Sequence, residues 1–314
     1  MDTKILGRTG LRVSVAGLGC GGHSRLGQAY GNSAEQSVAV VRAAIDMGIN
    51  FIDTAAAYGT EKIVGEAVRG RRDKVVISTK TAIQSWGDAK AAPFTGAQIL
   101  EQLEKNLSRL GTDYIDLYNL HGIVERQLGY VAAEIVPALI RAREQGKIRF
   151  LGITEHFGSD TDHKMLSAAI PTGVWDVVMV GFNLLNPSAR RNVLRLTQTH
   201  SVGVQDMFAV RRALSNPEGL KEALDQIEKA GQLDRSKLDA ADPLGFLKEG
   251  TEGIVDAAYR FCRHEPGIDV VLTGTGKVEH LRENVASINR GPLPAKTLAR
   301  LEELFGQVDS VSGN

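Results

Sequence analysis

Eight short apolar runs, rich in valine and isoleucine, recur along the chain and alternate with amphipathic stretches of helical period. Most of the runs are continuously apolar, as expected of strands that are covered on both faces of a parallel sheet. The runs are residues 13–19, 49–53, 74–79, 114–121, 147–154, 174–183, 203–209 and 268–274. Eight such strand–helix units in 314 residues predict an α/β fold, a single (β/α)8 TIM barrel.

The two ends of the chain add further elements to this barrel. Residues 3–6 and 11–16 flank the turn-rich sequence GRTG, which predicts an N-terminal β-hairpin that could cap the bottom of the barrel. Pro294 precedes an amphipathic stretch that predicts an additional C-terminal helix. No Pro- or Ser-rich linker interrupts the chain, so we expect residues 1–314 to form one domain.

Helix starts between the strands carry recognisable capping signals. The signals are the capping box of Ser33 and Gln36 before residues 34–47, Thr60 before residues 61–69, Thr95 before a helix that ends at Gly111, and Asn216 followed by Pro217. Residues 231–250 form the longest segment without an assignment.

Composition excludes several classes of protein. With 37 basic and 37 acidic residues the formal net charge is zero, which argues against binding to nucleic acid or to an anionic membrane. No apolar stretch approaches the length of a membrane span, and the N-terminus does not resemble a signal peptide. Cys20 and Cys262 are far apart and form no disulfide framework, which favours a reducing cytoplasm. Oligomeric state is not readable from the sequence.

Four polar residues stand at or just after the predicted ends of consecutive strands. Asp53 ends the second strand, Tyr58 follows in its loop, Lys80 ends the third strand and His121 ends the fourth. In a TIM barrel the active site lies at the C-terminal ends of the strands, so we expect these four side chains to converge.

The four residue types suit the reduction of a carbonyl, which requires a hydride and a proton. Tyrosine has a reference pKa of about 10, and the nearby ammonium of Lys80 is expected to lower the pKa of Tyr58. Asp53 would compensate the burial of Lys80, and His121 could donate a hydrogen bond that orients the substrate oxygen.

These residues carry a resemblance to a known family. The sequences FIDTAAAYG, STK and NLH resemble the catalytic tetrad of the aldo-keto reductase superfamily, and KILGRTGLRVSVAGLGCGG, GKIRFLGIT and VLTGTGKVEHLRENV resemble other segments of it. The resemblance implies that Tyr58 is the general acid, that Lys80 and Asp53 tune it, and that His121 positions the carbonyl. It also implies a small-molecule carbonyl substrate and NADPH as the cofactor, with NADH as an alternative.

The same resemblance implies a cofactor site at the ends of the later strands. Thr275 would meet phosphate, Glu283 and Asn284 would meet adenine, and Lys277 or Arg282 would replace basic residues that the family often has at the positions of Gly274 and His280. The full set of predicted cofactor contacts is Thr154, Asn183, Phe208, Gly274, Thr275, Gly276, Lys277, Arg282, Glu283 and Asn284. Phe208 could stack on the nicotinamide ring, and Asn183 could supply an amide in place of the family's glutamine. Trp86, His156 and Phe157 are candidates for the wall of the substrate pocket.

Three alternatives to a reductase remain. Residues 17–22 match G-x-G-x-x-G with Asp53 ending the next strand, as in a Rossmann dehydrogenase, although the first helix is delayed to about Ser33. A metal-dependent barrel hydrolase is disfavoured because the seven histidines form no H-x-H or H-E-x-x-H pattern. A regulatory subunit could keep the fold and the cofactor and have lost efficient turnover.

Overall fold

Eight parallel strands close into a barrel in the computed structural model, which describes residues 1–85 and 91–314. The barrel strands are β3 (Ala16–Gly19), β4 (Phe51–Asp53), β5 (Val76–Thr81), β6 (Ile115–Ile123), β7 (Ile148–Glu155), β8 (Val177–Gly181), β9 (Gly203–Met207) and β10 (Val270–Thr273). They are paired in chain order, and β10 closes the ring against β3. The predicted TIM barrel is confirmed, and each predicted run contains or overlaps one strand of the barrel.

The predicted N-terminal hairpin is also confirmed. Strands β1 (Thr3–Ile5) and β2 (Arg12–Ser14) pair antiparallel around a short 3-10 turn. Leu6 and Val13 are buried in an apolar cluster with barrel residues that include Phe51 and Val177. The hairpin therefore covers the N-terminal end of the barrel, as expected, and leaves the opposite end free for a site.

Helices cover the outside of the barrel. Their bounds are α1 (Ala34–Asp46), α2 (Glu61–Ala67), α3 (Gly96–Leu110), α4 (Leu128–Tyr130), α5 (Val136–Glu144), α6 (Lys164–Ala169), α7 (Ala189–Asn192), α8 (Leu194–Thr199), α9 (Arg212–Ser215), α10 (Pro217–Lys229), α11 (Ile254–Arg263), α12 (Val278–Asn289) and α13 (Ala295–Phe305). A π-helical turn, Val131–Ile135, joins α4 to α5. The additional C-terminal helix is α13, and none of the helices in the described ranges is long and apolar enough to cross a membrane.

Most of the capping predictions match the structure. The Ser33 hydroxyl accepts from the backbone N–H of Gln36, the Gln36 side chain accepts from the backbone N–H of Ser33, and the Asn216 side chain accepts from the N–H of Gly219. The prediction for Thr60 is wrong, because its hydroxyl bonds to that of Thr54 at 2.8 Å and makes no capping bond to α2. The Thr54 hydroxyl thus occupies the Thr60 hydroxyl, which would otherwise be available to accept from a backbone N–H at the start of α2.

The glycine-rich segment at residues 17–22 does not open a dinucleotide-binding helix. Gly17 and Gly19 lie within β3 of the closed barrel, and the first α-helix begins only at Ala34. The Rossmann alternative is therefore wrong. Trp86 lies outside the described residues. The unassigned segment, residues 231–250, contains two 3-10 turns, Arg235–Lys237 and Gly245–Lys248.

Candidate active site

A buried ion pair lies at the C-terminal end of the barrel. The Lys80 ammonium donates to the two carboxylate oxygens of Asp53 at 2.8 and 2.6 Å and to the backbone carbonyl of Thr54 at 3.0 Å. The Ser78 hydroxyl donates to the same carboxylate at 2.9 Å. Lys80 is 0% exposed and Asp53 3% exposed, so the charges are held in place almost without solvent. The two carboxylate oxygens of Asp53 and the Thr54 carbonyl use the three donors of the Lys80 ammonium and fix its position.

Tyr58 and His121 lie beside this ion pair, as the strand-end argument predicts. The Lys80 nitrogen is 4.9 Å from the centre of the Tyr58 ring, and the Tyr58 hydroxyl is 3.5 Å from Nε2 of His121. The two rings meet edge to face, with 5.6 Å between their centres. Regular pairing between β6 and β7 is interrupted after Leu120, immediately before His121. The ends of three consecutive strands, β4, β5 and β6, thus bring a phenol, an ammonium, a carboxylate and an imidazole to one place.

The electrostatics of this cluster differ from the sequence-based expectation in one respect. Burial raises the pKa of Tyr58 above its usual value, and the nearby Lys80 ammonium only partly opposes this rise. Tyr58 therefore remains protonated at neutral pH, because desolvation of the phenolate outweighs the attraction of the ammonium. Burial, with the positive charge of Lys80, lowers the pKa of His121 to about 3, so its imidazole is neutral.

Two glycines of the segment after β3 leave room for the cluster. A Cβ atom on Gly21 would lie 2.5 Å from the Tyr58 ring, closer than real Cβ contacts allow. A Cβ atom on Gly22, which has a φ of +67°, would lie 3.1 Å from the Arg211 guanidinium. The residues that resembled a nucleotide-binding loop therefore accommodate side chains from elsewhere in the barrel mouth.

A large cavity opens from this cluster toward β10 and α12. Its volume is about 1290 Å³, which exceeds the usual range of pockets for a single small ligand. The predicted site residues on its wall are Asp53, Tyr58, Phe208, Gly274, Thr275, Arg282, Glu283 and Asn284. The wall of the cavity thus includes Asp53 and Tyr58 as well as the loop after β10 that was expected to hold phosphate.

The loop after β10 is shaped by hydrogen bonds of its own threonines. The hydroxyl of Thr275 accepts from the backbone N–H of Lys277, and the Asn284 amide donates to the hydroxyl of Thr273 at 2.9 Å. These bonds set the loop that leads into α12, whose N-terminal turn provides free backbone N–H groups. Backbone N–H groups at such a position suit a phosphate, and Arg282 on the same wall adds a positive charge.

Four residues expected to contact the cofactor are not on the cavity wall. The Asn183 amide donates to the carbonyl of Ser312 and accepts from two backbone N–H groups of its own turn, so its side chain stabilises the fold. The Thr154 hydroxyl accepts from the N–H of Gly122 at 2.7 Å. Gly276 packs against Gly27, and Lys277 is exposed outside the cavity. The direction of each of these side chains could not be read from the sequence, because it depends on which neighbour the fold brings near.

Phe208 is supported by a stack of side chains that runs away from the cavity. Its backbone is in the left-handed region, with a φ of +74°, and its ring meets Phe157 edge to face at 5.4 Å. Phe157 stacks on His163 at 5.3 Å, and Nδ1 of His163 lies 3.0 Å from the Glu155 carboxylate. Phe157 is buried in this stack, whereas His156 is exposed.

Arg211 is a residue of the cavity wall that the sequence analysis did not identify. Arg211 precedes the short helix α9, and its guanidinium carbon lies 4.0 Å from the centre of the Phe208 ring. Nothing in the sequence Val210–Arg211–Arg212 distinguishes this arginine from a surface residue.

Within the described ranges, no group of three or more His, Cys, Asp or Glu side chains is arranged to hold a metal ion.

Comparisons with known proteins agree with this architecture. Residues 18–305 match the model of the aldo/keto reductase family. Among curated proteins, the chain is 30% identical over 302 residues to the aldo-keto reductase YhdN of Bacillus subtilis, which covers 90% of this chain and 88% of that protein. It is 27% identical over 323 residues to the L-galactose dehydrogenase of Arabidopsis thaliana, which covers 99% and 94%.

A solved structure shares the fold. It is the holo form of the aldo-keto reductase AKR11C1 from Bacillus halodurans, with a TM-score of 0.75, 24% identity and coverage of 99% of this chain and 98% of that chain. The closed barrel, the convergent strand ends and the match of the family model over nearly the whole chain lead to one conclusion: the chain belongs to the aldo/keto reductase family.

Proposed function

We propose that this protein reduces an aldehyde or ketone to an alcohol, with NADPH or NADH as the hydride donor and Tyr58 as the general acid. The observation that carries the proposal is the buried Lys80–Asp53 pair directly beside the Tyr58 ring, at one end of a cavity large enough for a dinucleotide. Burial of two charges costs free energy, and an active site is a place where such a cost is often tolerated.

The proton is supplied by Tyr58. Because burial raises the pKa of Tyr58, its hydroxyl carries the proton that a reduced carbonyl oxygen needs. The Lys80 ammonium, fixed by Asp53, stabilises the negative charge that develops on the phenol oxygen when the proton leaves. His121, neutral because its pKa is lowered to about 3, can hold the substrate oxygen by a hydrogen bond without competing as an acid. When bound, the nicotinamide supplies the hydride.

The residues at the other end of the cavity fit a dinucleotide. Gly274 and Thr275 form the turn at the start of α12, where a diphosphate would find backbone donors, and Glu283 and Asn284 lie one helical turn further along the same wall. We propose that Arg282 meets the 2′-phosphate of NADPH, because it lines the cavity and Lys277 does not. Phe208, also on the wall, is proposed to stack on the nicotinamide ring.

The experiment is a comparison of native protein with Tyr58→Phe. NADPH and NADH binding are measured by calorimetry, and turnover is measured with a small aromatic aldehyde. We expect Tyr58→Phe to bind cofactor normally and to lose roughly 10²–10⁴-fold in turnover, the usual contribution of a general acid. Tyr130→Phe is the matched control, because its hydroxyl donates to the Phe94 carbonyl away from the cavity.

Each outcome has a clear meaning. Equal turnover by native protein and Tyr58→Phe would refute the role of Tyr58. Cofactor binding without turnover by the native protein over a broad panel of aldehydes would instead favour a cofactor-binding regulatory subunit. If the native protein binds neither cofactor, the proposed function is wrong.

A further inference from the structure

A layer of polar side chains lies inside the barrel, next to the Lys80–Asp53 pair. It consists of Ser78 on β5, Asn119 on β6 and Gln205 on β9, all fully buried. Ser78 stands two residues before Lys80 in the same strand, so both side chains point into the barrel. The interior of a TIM barrel is usually filled by branched apolar residues, so this polar layer needs an explanation.

The hydrogen bonds of the layer form a chain that ends on Asp53. The Asn119 amide nitrogen donates to the Ser78 hydroxyl oxygen at 3.0 Å and to the backbone carbonyl of Thr79 at 3.2 Å. The Ser78 hydroxyl has a single proton, and the Asp53 carboxylate at 2.9 Å is nearer to it than the Gln205 amide oxygen at 3.4 Å. Ser78 therefore donates to Asp53. The bond that its oxygen accepts from Asn119 polarises the hydroxyl and strengthens this donation.

Stability alone does not explain the layer. Within the described part of the chain, the amide oxygen of Asn119 and the amide nitrogen of Gln205 have no hydrogen-bond partner. A buried polar atom without a partner is unfavourable, whereas an apolar side chain would fill the same space without that penalty. Gly152 on β7 leaves the room for Asn119, because a Cβ atom on this glycine would overlap the Asn119 amide. Local features that lower stability in this way are expected at functional positions.

Asp53 is the group on which the layer acts. Burial raises the pKa of the Asp53 carboxyl, and the charge of Lys80 and the hydrogen bond from Ser78 oppose that rise. Tyr58 and Cys20 also face this carboxyl, and both are neutral at pH 7 because burial raises their pKa values. A carboxyl that gained a proton would no longer balance the buried ammonium, and the positive charge beside the Tyr58 phenol would be weakened.

We propose that Ser78, oriented by Asn119, is a positioning residue of the reaction, because its hydroxyl keeps Asp53 ionised and in contact with Lys80. This role rests on the proposed reductase function, in which Lys80 stabilises the charge on the Tyr58 phenol oxygen as its proton moves to the substrate oxygen. Ser78 does not line the cavity, so it acts on the reaction only through Asp53.

The test compares native protein with Ser78→Ala in the pH profile of kcat/KM for a small aromatic aldehyde, from pH 4 to 8. Loss of a hydrogen bond to a charged group should move the acid limb of the profile up by about 1–2 pH units. At pH 8, where Asp53 is ionised in both proteins, kcat/KM should agree within about threefold. The Kd of NADPH should be unchanged, because Ser78 does not line the cavity.

Two further substitutions at the same position separate the hydroxyl from its volume. Ser78→Thr keeps the hydroxyl and should restore the native acid limb. Ser78→Cys nearly keeps the volume but is a weak donor, so its acid limb should lie close to that of Ser78→Ala. Ser78→Cys also carries the test if Ser78→Ala does not fold. Asn119→Leu should move the limb in the same direction, because the Ser78 hydroxyl loses the donor that orients it.

Ser14→Ala is the matched control. Ser14 is equally buried, and its hydroxyl donates to the Ala16 carbonyl at 2.7 Å, at the hairpin end of the barrel. This variant loses a buried hydrogen bond as Ser78→Ala does, so its Tm should fall. Its pH profile should remain that of native protein, because the lost bond is remote from Asp53.

Two results would overturn the proposal. One is an acid limb of Ser78→Ala that coincides with the native limb. The other is an equal loss of kcat/KM at every pH, which is the result expected of a purely structural role.

A native protein that reduces no aldehyde would refute the reductase function separately, and thermal melts would still test the hydroxyl. If Ser78→Ala raises the folded-state pKa of Asp53 further above its unfolded value, stability is lost as pH rises through that folded pKa. A Tm deficit of Ser78→Ala that grows from pH 4 to pH 8 therefore supports the action of Ser78 on Asp53, and a constant deficit refutes it.

Discussion

The buried pair of Lys80 and Asp53 gives the sharpest prediction, because its effects on stability and on activity should separate. Lys80 is fully buried and Asp53 almost so, with a separation of 2.6 Å. Lys80→Met leaves an unpaired buried carboxylate, and breaking a buried pair costs about 3–5 kcal/mol. With an unfolding entropy of about 2.1 cal/mol/K per residue, this cost lowers the Tm of a 314-residue chain by about 5–8 °C.

The double variant Asp53→Asn/Lys80→Met should behave differently. It removes both charges, and replacement of a buried pair by neutral groups is often close to neutral in stability. We expect it to melt within about 2 °C of native protein, at least 3 °C above Lys80→Met, and yet to remain as inactive as that single variant. Lys147→Met is the control, because its pair with Glu104 is exposed and worth less than about 1 kcal/mol.

The pH dependence of this stability loss follows from the direction of the Asp53 shift. Burial raises the pKa of Asp53 and Lys80 opposes that rise, so removal of Lys80 raises the pKa further above the unfolded value of about 3.9. A raised folded-state pKa gives stability that is fully present below the unfolded pKa and is lost as pH rises through the folded pKa. The Tm deficit of Lys80→Met should therefore be largest near pH 8 and smallest near pH 4.

Thermal melts by circular dichroism, at pH 4 to 8, test both claims. The reasoning is refuted if the double variant melts as low as Lys80→Met, because the loss would then come from packing around the lysine stem. A Tm deficit of Lys80→Met that is the same at pH 4 and at pH 8 would also refute the reasoning. An unpaired Asp53 carboxyl that titrates must make the deficit depend on pH.

Three further predictions concern the Tyr58–His121 pair, Gly21 and the turn at Asn183. Because burial lowers the pKa of His121 to about 3 and raises that of Tyr58, kcat/KM for aldehyde reduction should show no titration between pH 5 and 8; a limb near pH 6.5 would contradict this. Gly21→Ala would push a methyl group against the Tyr58 ring, and a displacement of about 1 Å should reduce turnover roughly 10²-fold while NADPH binding is kept; near-native turnover would count against the close approach. Asn183→Ala should cost about 1–3 kcal/mol in urea unfolding, since its turn loses buried hydrogen bonds, and leave the Kd of NADPH unchanged; a tenfold weaker Kd would return Asn183 to the cofactor site.

The sequence determined the architecture of this protein and the position of the cluster formed by Asp53, Tyr58, Lys80 and His121. Continuous apolar runs alternating with helical stretches leave few folds other than a barrel, and a parallel barrel brings every strand end to the same rim. Asp53, Lys80 and His121 could therefore be placed together from their positions in the chain, although many residues separate them. Strand bounds were less accurate, as at β3, where a single run was divided between the hairpin and the barrel.

Only the tertiary structure decided which way individual side chains point and what surrounds them. Thr154 and Asn183 stand at strand ends as predicted, yet hydrogen bonds with residues far away in the chain or in their own turn direct them away from the cavity. Arg211 reaches the acid cluster only because β9 closes against its neighbours and Gly22 leaves room for it. The direction of the Tyr58 pKa shift is likewise a sum of burial and charge over many neighbours, and such a sum exists only once the chain is folded.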